Sequence, residues 1–178
     1  MRTRVCLGAV LAVTLAALPA AAVAANGLTI SPPSTAAFSV TLDGTDQIGL
    51  ASLAIPVSYT SNALNKFATS GWSITATSTV FSGTSTARTL SMTATTVSVT
   101  DDAGCTDRTC NDPANSIGYP LALPAGNIAP APVSIVNAAP GSGMGSNIET
   151  LQLSVAIPAN TYADTYKSTL TLAVVEGP

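Results

Sequence analysis

The clearest hydrophobic pattern in the chain begins at Trp72 and ends at Val80. Apolar or small residues alternate there with Ser and Thr. Alternation with a period of two predicts a strand that turns one face to a core and the other to water. The segment also holds the only tryptophan of the sequence, and an indole is a large apolar group. We therefore expect the packing of the domain to centre on Trp72.

The same alternation recurs along the chain, whereas no window has the apolar spacing of an amphipathic helix. Val, Ile and Thr dominate these windows, and Pro or Gly interrupts them about every 10 residues, which favours one all-β sandwich domain. The predicted strands lie at 28–30, 38–42, 53–59, 72–81, 90–99, 151–157 and 170–174. Residues 101–147 are predicted to be irregular, with short strand candidates at 121–123 and 133–136 and a flexible glycine-rich loop at 141–146.

Prolines and spacing add detail to this prediction. Pro32 and Pro33 end the first strand, and Pro56 predicts an edge position or a bulge, because proline cannot donate a ladder hydrogen bond. The strands at 151–157 and 170–174 are separated by only ~12 residues, which predicts an antiparallel hairpin with a long loop.

The N-terminus has the pattern of a secretory signal peptide. A basic start, an apolar run at 7–18 and the residues Ala-Val-Ala at 22–24 follow one another, and this order is typical of a cleavable leader. We predict that residues 1–24 are removed and that residues 25–178 form the mature domain. The apolar run is too short for a transmembrane anchor. We therefore expect a secreted protein with no membrane insertion after cleavage.

Charge restricts the partners of the mature domain. Without the leader it keeps 4 basic and 9 acidic residues, a net charge of −5. Scattered cations in an acidic chain do not form the basic patch that nucleic acid or an anionic membrane requires. The surface must then consist mostly of Thr, Ser, Asn and Ala, which is typical of extracellular β-proteins.

Cys105 and Cys110 are the cysteines that remain after loss of the leader. An even pair in an oxidising compartment predicts a disulfide. A zinc site would need two more ligands, and the chain has no His. A redox-active pair of the thioredoxin type would need two intervening residues instead of four. We therefore predict a structural disulfide.

The segment 101–112 around these cysteines is acidic. Its four aspartates are Asp101, Asp102, Asp107 and Asp112. Carboxylates on a Gly-containing loop can bind calcium, but the spacing is not that of an EF-hand and Arg108 lies among them. We predict a solvated loop without a metal, and calcium is the alternative.

Candidate catalytic groups are scarce. Without His, no Ser–His or Cys–His pair can form, and a Ser–Lys pair would depend on Lys66 or Lys167, which lie in no recognisable motif. The carboxylates outside the acidic loop are Asp43, Asp46, Glu149, Asp164 and Glu176. We interpret all of these as turn or surface residues. We therefore predict a protein without catalytic residues or cofactors.

Two segments resemble the WxL-type surface domains of Gram-positive bacteria. Gly71-Trp72-Ser73-Ile74-Thr75-Ala76, followed by Phe81-Ser82-Gly83, is similar to the first signature of that family. The run from Leu153 to Pro178, with Ile-Pro-Ala leading through a Tyr into a last strand, is similar to its closing segment. The second Trp motif is replaced by Leu172-Ala173-Val174, and Ile74 stands where Leu is usual. The chain therefore resembles a divergent member, and its low charge and Thr/Ala-rich texture suggest an actinobacterial type.

The resemblance implies an immunoglobulin-like antiparallel β-sandwich that is held non-covalently on the cell wall and has no enzymatic activity. The expected partners are peptidoglycan or other surface proteins, bound through a sheet face or the 101–147 loops. Gly71, Trp72 and Ile74 form the family motif, as core residues or, alternatively, as a ligand platform with a tyrosine beside Trp72.

An alternative function is a structural subunit of a fimbrial or spore-coat-like assembly. Such subunits join when one lends a strand to the open sheet edge of its neighbour. On this hypothesis, the segment 28–42 would be the donor strand.

Overall fold

The structure is a computed structural model that describes residues 9–19, 27–59, 70–100 and 110–177. Within these ranges the chain forms strands and no helices, which confirms the predicted all-β fold. The strands are β1 (Ala9–Pro19), β2 (Leu28–Ile30), β3 (Thr35–Leu42), β4 (Gln47–Tyr59), β5 (Trp72–Thr79), β6 (Ser82–Gly83), β7 (Thr95–Thr100), β8 (Leu121–Ala122), β9 (Ala125–Gly126), β10 (Val133–Ala138), β11 (Gly145–Ile157) and β12 (Thr165–Glu176).

The strands form two sheets that pack face to face as a β-sandwich. The first sheet has the order β10-β5-β12-β1-β3, with β6 paired to β12 and β9 paired to β5. The second sheet has the order β2-β4-β11-β7-β8. Most neighbours run antiparallel, as predicted, but β1 is parallel to β12 and β9 is parallel to β5.

The core lies between the two sheets and follows the alternation of the long strands. Every second residue is buried over 49–59 of β4, 147–157 of β11 and 166–174 of β12, because successive side chains of a strand point to opposite faces. The largest fully buried side chains come from both sheets: Trp72, Ile74, Ile135, Tyr166, Leu170 and Leu172 from the first, and Leu28, Leu53, Ile55, Leu151 and Ile157 from the second. Burial of such apolar surface is the main stabilising term of the fold.

Strand β5 departs from the predicted pattern because both of its faces are covered. Ser73 and Thr77, which were expected to face water, are buried. The Thr77 hydroxyl donates to the carbonyl of Pro130 at 2.8 Å, and the Ser73 hydroxyl donates to the carbonyl of Gly177 at 3.2 Å. Ser and Thr hydroxyls can bond to backbone carbonyls that cover a strand face, and they can equally bond to water on an exposed face. Alternation with Ser and Thr therefore does not show whether the outer face of a strand is covered or exposed.

The predicted hairpin of the last two strands is wrong. Strand β11 pairs with β4 and β7, whereas β12 pairs with β5, β6 and β1. The connection at 158–164 carries the chain from one sheet to the other, and the Asp46 carboxylate accepts a hydrogen bond from the Ala159 N–H at 2.8 Å within it. Strands of both sheets turn apolar residues inward, so the alternation does not specify which sheet a strand joins.

Pro56 does not lie in an edge strand, because β4 lies between β2 and β11; it lies instead where the ladder with β2 ends. Strand β2 pairs with β4 only at residues 57–59, and the Ser31 N–H then donates to the carbonyl of Pro56 at 3.0 Å. The N–H and C=O of one residue point to the same side of a strand. The N–H that Pro56 lacks would therefore lie on this side, at the end of the β2 ladder.

Strand β1 lies inside the predicted leader. It occupies the position between β12 and β3 and pairs with both: Ala12, for example, is opposite Thr165 on one side and Ser39 on the other. Cleavage after Ala24 remains a prediction. If it occurs, the first sheet loses an inner strand.

Candidate functional site

The indole of Trp72 is a core group and has no exposed surface. Its exposed fraction is 0%, and its Nε1 donates to the carbonyl of Gly143 at 3.0 Å. A sugar ring therefore has no access to the indole face. The glycine-rich loop that was predicted to be flexible packs against this ring, since a Cβ on Gly143 would come within 2.6 Å of Trp72 Nε1.

The other residues of the family motif also have structural roles. Gly71 has a φ of +66°, and a side chain there would overlap the carbonyl oxygen of Ala138, so the position requires glycine. Ile74 is fully buried in the core. The geometry thus places Gly71, Trp72 and Ile74 in the sandwich interior.

The predicted disulfide lies only partly within the described residues. Cys105 and Asp101, Asp102 and Asp107 of the acidic loop lie outside them, so the pairing and the alternative calcium site remain open. Cys110 is half-buried beside the start of β11, where a Cβ on Gly145 would come within 2.9 Å of its Cα. Within the described part of the chain, no three or more His, Cys, Asp or Glu side chains are grouped so that they could hold a metal ion.

The sequence predicted that the remaining carboxylates all lie in turns or on the surface, but the structure places one of them in the core. Asp43 does cap a turn: its Oδ1 accepts from the Thr45 N–H at 2.9 Å and the Gln47 side chain at 2.8 Å. Glu149, in contrast, is only 6% exposed and shares the inward register of β11 with Asn147. The surface interpretation of Glu149 is therefore wrong, since strand register outweighed the preference of a carboxylate for water.

Asp164 organises a corner of the sandwich next to β6. Its carboxylate accepts hydrogen bonds from the N–H groups of Ser85 (3.1 Å), Thr86 (2.9 Å) and Thr165 (2.7 Å) and from the hydroxyls of Thr86 (2.7 Å) and Thr84 (3.3 Å). A Cβ on Gly83 would approach Asp164 Oδ2 to 2.5 Å, so the glycine makes room for this carboxylate. The segment 82–89 is thereby fixed against the start of β12.

These hydrogen bonds lower the pKa of Asp164 to about 2. The largest contribution comes from the Thr86 hydroxyl; partial desolvation opposes it, and the backbone N–H groups add to it. Hydrogen bonds to a carboxylate favour its charged form. Asp164 is therefore ionised at neutral pH, and it serves the structure as an acceptor.

An exposed aromatic–cation pair, Arg88 and Tyr162, lies at the same corner. The Arg88 guanidinium carbon is 3.5 Å from the centroid of the Tyr162 ring, a cation–π contact that holds the arginine in place. Tyr162 nevertheless exposes 54% of its surface. The two side chains line an open pocket of about 270 Å³, to which Ser91, Pro158 and Asn160 also contribute.

A second pocket includes Ser82 of β6 in its lining. With β1 in place it has a volume of about 420 Å³; its lining is mostly hydroxyl groups, with Asn127, Lys167 and Val80, and it includes Thr14 of β1, which leader cleavage would remove. Lys167 pairs with Ser82 of β6, and Tyr166 pairs with Gly83. In the described ranges the cations are Arg88 and Lys167, so both lie beside β6. We call this region, with its two pockets, the β6 corner.

The sequence pattern singled out neither Tyr162 nor Arg88. The signal was weak: Arg88 is a rare cation in a Ser/Thr-rich stretch, and the two residues belong to distant parts of the chain. The Asp164 hydrogen bonds that bring the stretches together are not visible in a pattern of apolar positions. Chemically, the corner combines a positive fork, an aromatic ring and uncharged hydrogen-bonding groups, as saccharide and acidic-peptide sites do.

No known protein family matches the sequence, and no curated protein is detectably similar to it. The resemblance to WxL-type surface domains therefore remains a prediction from motifs. None of the segments that the structure describes forms a helix with the length and hydrophobicity of a membrane span.

Proposed function

We propose that this protein is a secreted, non-catalytic protein of the bacterial cell surface that binds peptidoglycan non-covalently through the β6 corner. The carrying observation is the Arg88–Tyr162 pair beside an open polar pocket. The leader pattern and the resemblance to WxL-type domains support the location. The resemblance further supports the absence of an enzymatic reaction.

The chemistry of peptidoglycan suits this corner. Its peptide stems carry carboxylates, for which an arginine fork is a strong hydrogen-bonding partner. Its sugar rings can stack their C–H faces on the side of the Tyr162 ring that Arg88 does not cover. The amide of Asn160 and the hydroxyl of Ser91 lie in the same pocket and can bond sugar hydroxyl or acetamido groups.

Fixation by Asp164 supports binding as well. The segment that carries Arg88 is held by several hydrogen bonds, and the guanidinium rests on the Tyr162 ring. A site that is ordered before the ligand arrives loses less conformational entropy on binding. The corner is thus better prepared for a ligand than a freely moving arginine would be.

Co-sedimentation of the exported protein with isolated peptidoglycan tests the proposal. We expect Arg88→Gln and Tyr162→Ala each to weaken binding about tenfold, equivalent to ~1.4 kcal/mol. Arg88→Lys, which keeps the charge and loses the fork, should lie between Arg88→Gln and wild type.

Leu50→Ser is the matched control for this experiment. Leu50 is 66% exposed on the outer face of the second sheet, so its replacement should leave binding unchanged. A protein that never sediments with peptidoglycan contradicts wall binding. Loss of binding in Leu50→Ser together with full binding in Arg88→Gln would move the site to the sheet face.

A further inference from the structure

Strand β1 fills a gap in the first sheet that leader cleavage would open. It pairs with β12 over residues 12–19 and with β3 over residues 9–16. Neighbouring strands lie about 4.8 Å apart, so its removal leaves β3 and β12 roughly 10 Å apart with one row of backbone groups on each facing the gap. Buried backbone groups without partners are costly.

The walls of this gap are mostly apolar on the core side. Strand β3 contributes Ala36 and Phe38, and β12 contributes Ser168 and Leu170. The small residues Ala36 and Ser168 are both opposite position 15 of β1. A strand that enters the gap can therefore place a large aliphatic side chain at this position.

Strand β3 is fixed by contacts along its length and at both ends, so it does not readily move towards β12 and close the gap. The Phe38 ring lies against Gly49 of β4, where any Cβ would overlap it. The turn after β3 is capped by the Asp43 carboxylate. The Ser31 N–H before β3 is bonded to Pro56. Moving β3 by one strand spacing towards β12 would strain these contacts.

We propose that the gap between β3 and β12 is an acceptor site for an extended strand of a partner surface protein, which adds to the sheet there after the leader is removed. Cleavage after Ala24 leaves only residues 25–27 ahead of β2, too few to refill the site. A second copy would have to withdraw one of its own paired strands. The acceptor site therefore favours a segment from a different protein, held by main-chain hydrogen bonds.

The pairing of β1 indicates the strand direction and the types of residue that the partner segment must have. The segment runs parallel to β12 and antiparallel to β3 and carries aliphatic residues at the positions equivalent to Val13 and Leu15, opposite Phe38 and Ala36. The alternate positions tolerate polar groups, since Ala12 is exposed and Thr14 is half-buried. Position 14 is opposite Lys167, so an acidic residue fits there.

The test uses the full chain, expressed with its leader in a bacterial host and recovered after export. Intact mass first establishes that the protein begins at Ala25. The probe is a synthetic peptide of residues 9–19 with two lysines added at each end for solubility. We expect saturable binding with one peptide per protein and a rise in the thermal midpoint.

Peptide variants separate register-specific pairing from nonspecific adhesion. Val13→Asp with Leu15→Asp should weaken binding at least tenfold, because positions 13 and 15 are opposite Phe38 and Ala36 of β3, which belong to the apolar core side of the gap. The matched control, Ala12→Asp with Thr14→Asp, has the same added charge on the exposed side and should bind within about threefold of the parent peptide.

Several results would overturn the proposal. One is an exported protein that retains residues 9–19; another is a processed protein that does not bind the parent peptide or binds both doubly charged variants equally. A third is an exported protein that forms oligomers which the peptide dissociates. The occupant of the site would then be a second copy of this chain and not a different protein. None of these results bears on peptidoglycan binding by Arg88 and Tyr162, so the two proposals fail independently.

Discussion

Trp72 combines packing with one specific hydrogen bond. Its ring is fully buried, and its Nε1 is bonded to Gly143. We predict that Trp72→Ala lowers the free energy of unfolding by about 3–5 kcal/mol, because it leaves a large cavity. Trp72→Phe retains most of the packing and should cost about 1–3 kcal/mol, mainly for the unpaired carbonyl.

Urea unfolding followed by circular dichroism measures both Trp72 variants, since fluorescence loses its reporter. A loss below about 1 kcal/mol in Trp72→Ala would contradict the core assignment. If peptidoglycan binding also disappeared in such a stable variant, the ligand-platform interpretation would be correct instead.

Asp164 makes the β6 corner sensitive to acid. Its pKa is lowered from 3.8 to about 2 in the folded protein. The stabilisation it provides is therefore complete above pH 3.8 and is lost as the pH falls through 2. We predict that the thermal midpoint of wild type exceeds that of Asp164→Asn near neutral pH and that the difference narrows across this window.

A comparison variant is Asp43→Asn, which removes a carboxylate whose pKa is also lowered by its hydrogen bonds from Thr45; its effect on the thermal midpoint should narrow with falling pH in the same direction. NMR titration of the Asp164 carboxyl gives the pKa directly. A value near 4, or a midpoint difference between wild type and Asp164→Asn that does not change with pH, would show that the hydrogen bonds to Thr86 and Thr165 are not formed in solution.

At the scale of elements, the segment after Cys110 braces the loop that covers Trp72. The Asn111 N–H donates to the Met144 carbonyl at 3.1 Å, and the Met144 N–H donates to Asn111 Oδ1 at 2.8 Å. Gly143 of the same loop accepts the indole N–H. A bond between Cys105 and Cys110 would restrain the chain immediately before this brace.

We predict that Cys105 and Cys110 form a disulfide in the exported protein and that reduction lowers stability by about 2 kcal/mol, as the chain-entropy relation gives for a short loop. Mass spectrometry shows whether reduction adds two hydrogen atoms and whether two cysteines can be alkylated only after reduction. The double variant Cys105→Ser with Cys110→Ser should match the reduced protein. Free thiols in freshly exported protein would contradict the prediction.

Most strands could be predicted because the alternation of apolar and polar residues is contained in the short segment that forms each strand. The partners of the strands could not. Strands β11 and β12 have equally regular alternation, yet they lie in different sheets, because apolar residues face the same core from either side. The covered outer face of β5 and the inward carboxylate of Glu149 are likewise set by tertiary surroundings.

At the scale of the whole molecule, the recurring alternation and the Val, Ile and Thr content correctly indicated an all-β sandwich. The candidate site was not predictable. Arg88 and Tyr162 meet because the connection at 158–164 crosses from one sheet to the other and ends at Asp164, which binds the segment next to Arg88. That meeting depends on which sheets the strands join, and the hydrophobic pattern does not contain this information.

The distribution of charge over the whole molecule also affects which ligands it binds. The predicted mature chain is acidic overall, whereas in the described ranges both cations lie at the β6 corner. Among the described residues, an acidic ligand therefore finds a cationic partner only at this corner, where the ionised Asp164 also lies. Raised salt should weaken peptidoglycan binding, because a screened guanidinium–carboxylate pair contributes less.

NMR spectra of the exported protein titrated with a soluble peptidoglycan fragment test wall binding at the β6 corner most directly. We predict saturable shifts at Arg88, Asn160 and Tyr162, with the amides of Leu50 and Ser52 on the outer face of the second sheet unchanged. Shifts confined to that outer face, or none at millimolar fragment, would contradict the account.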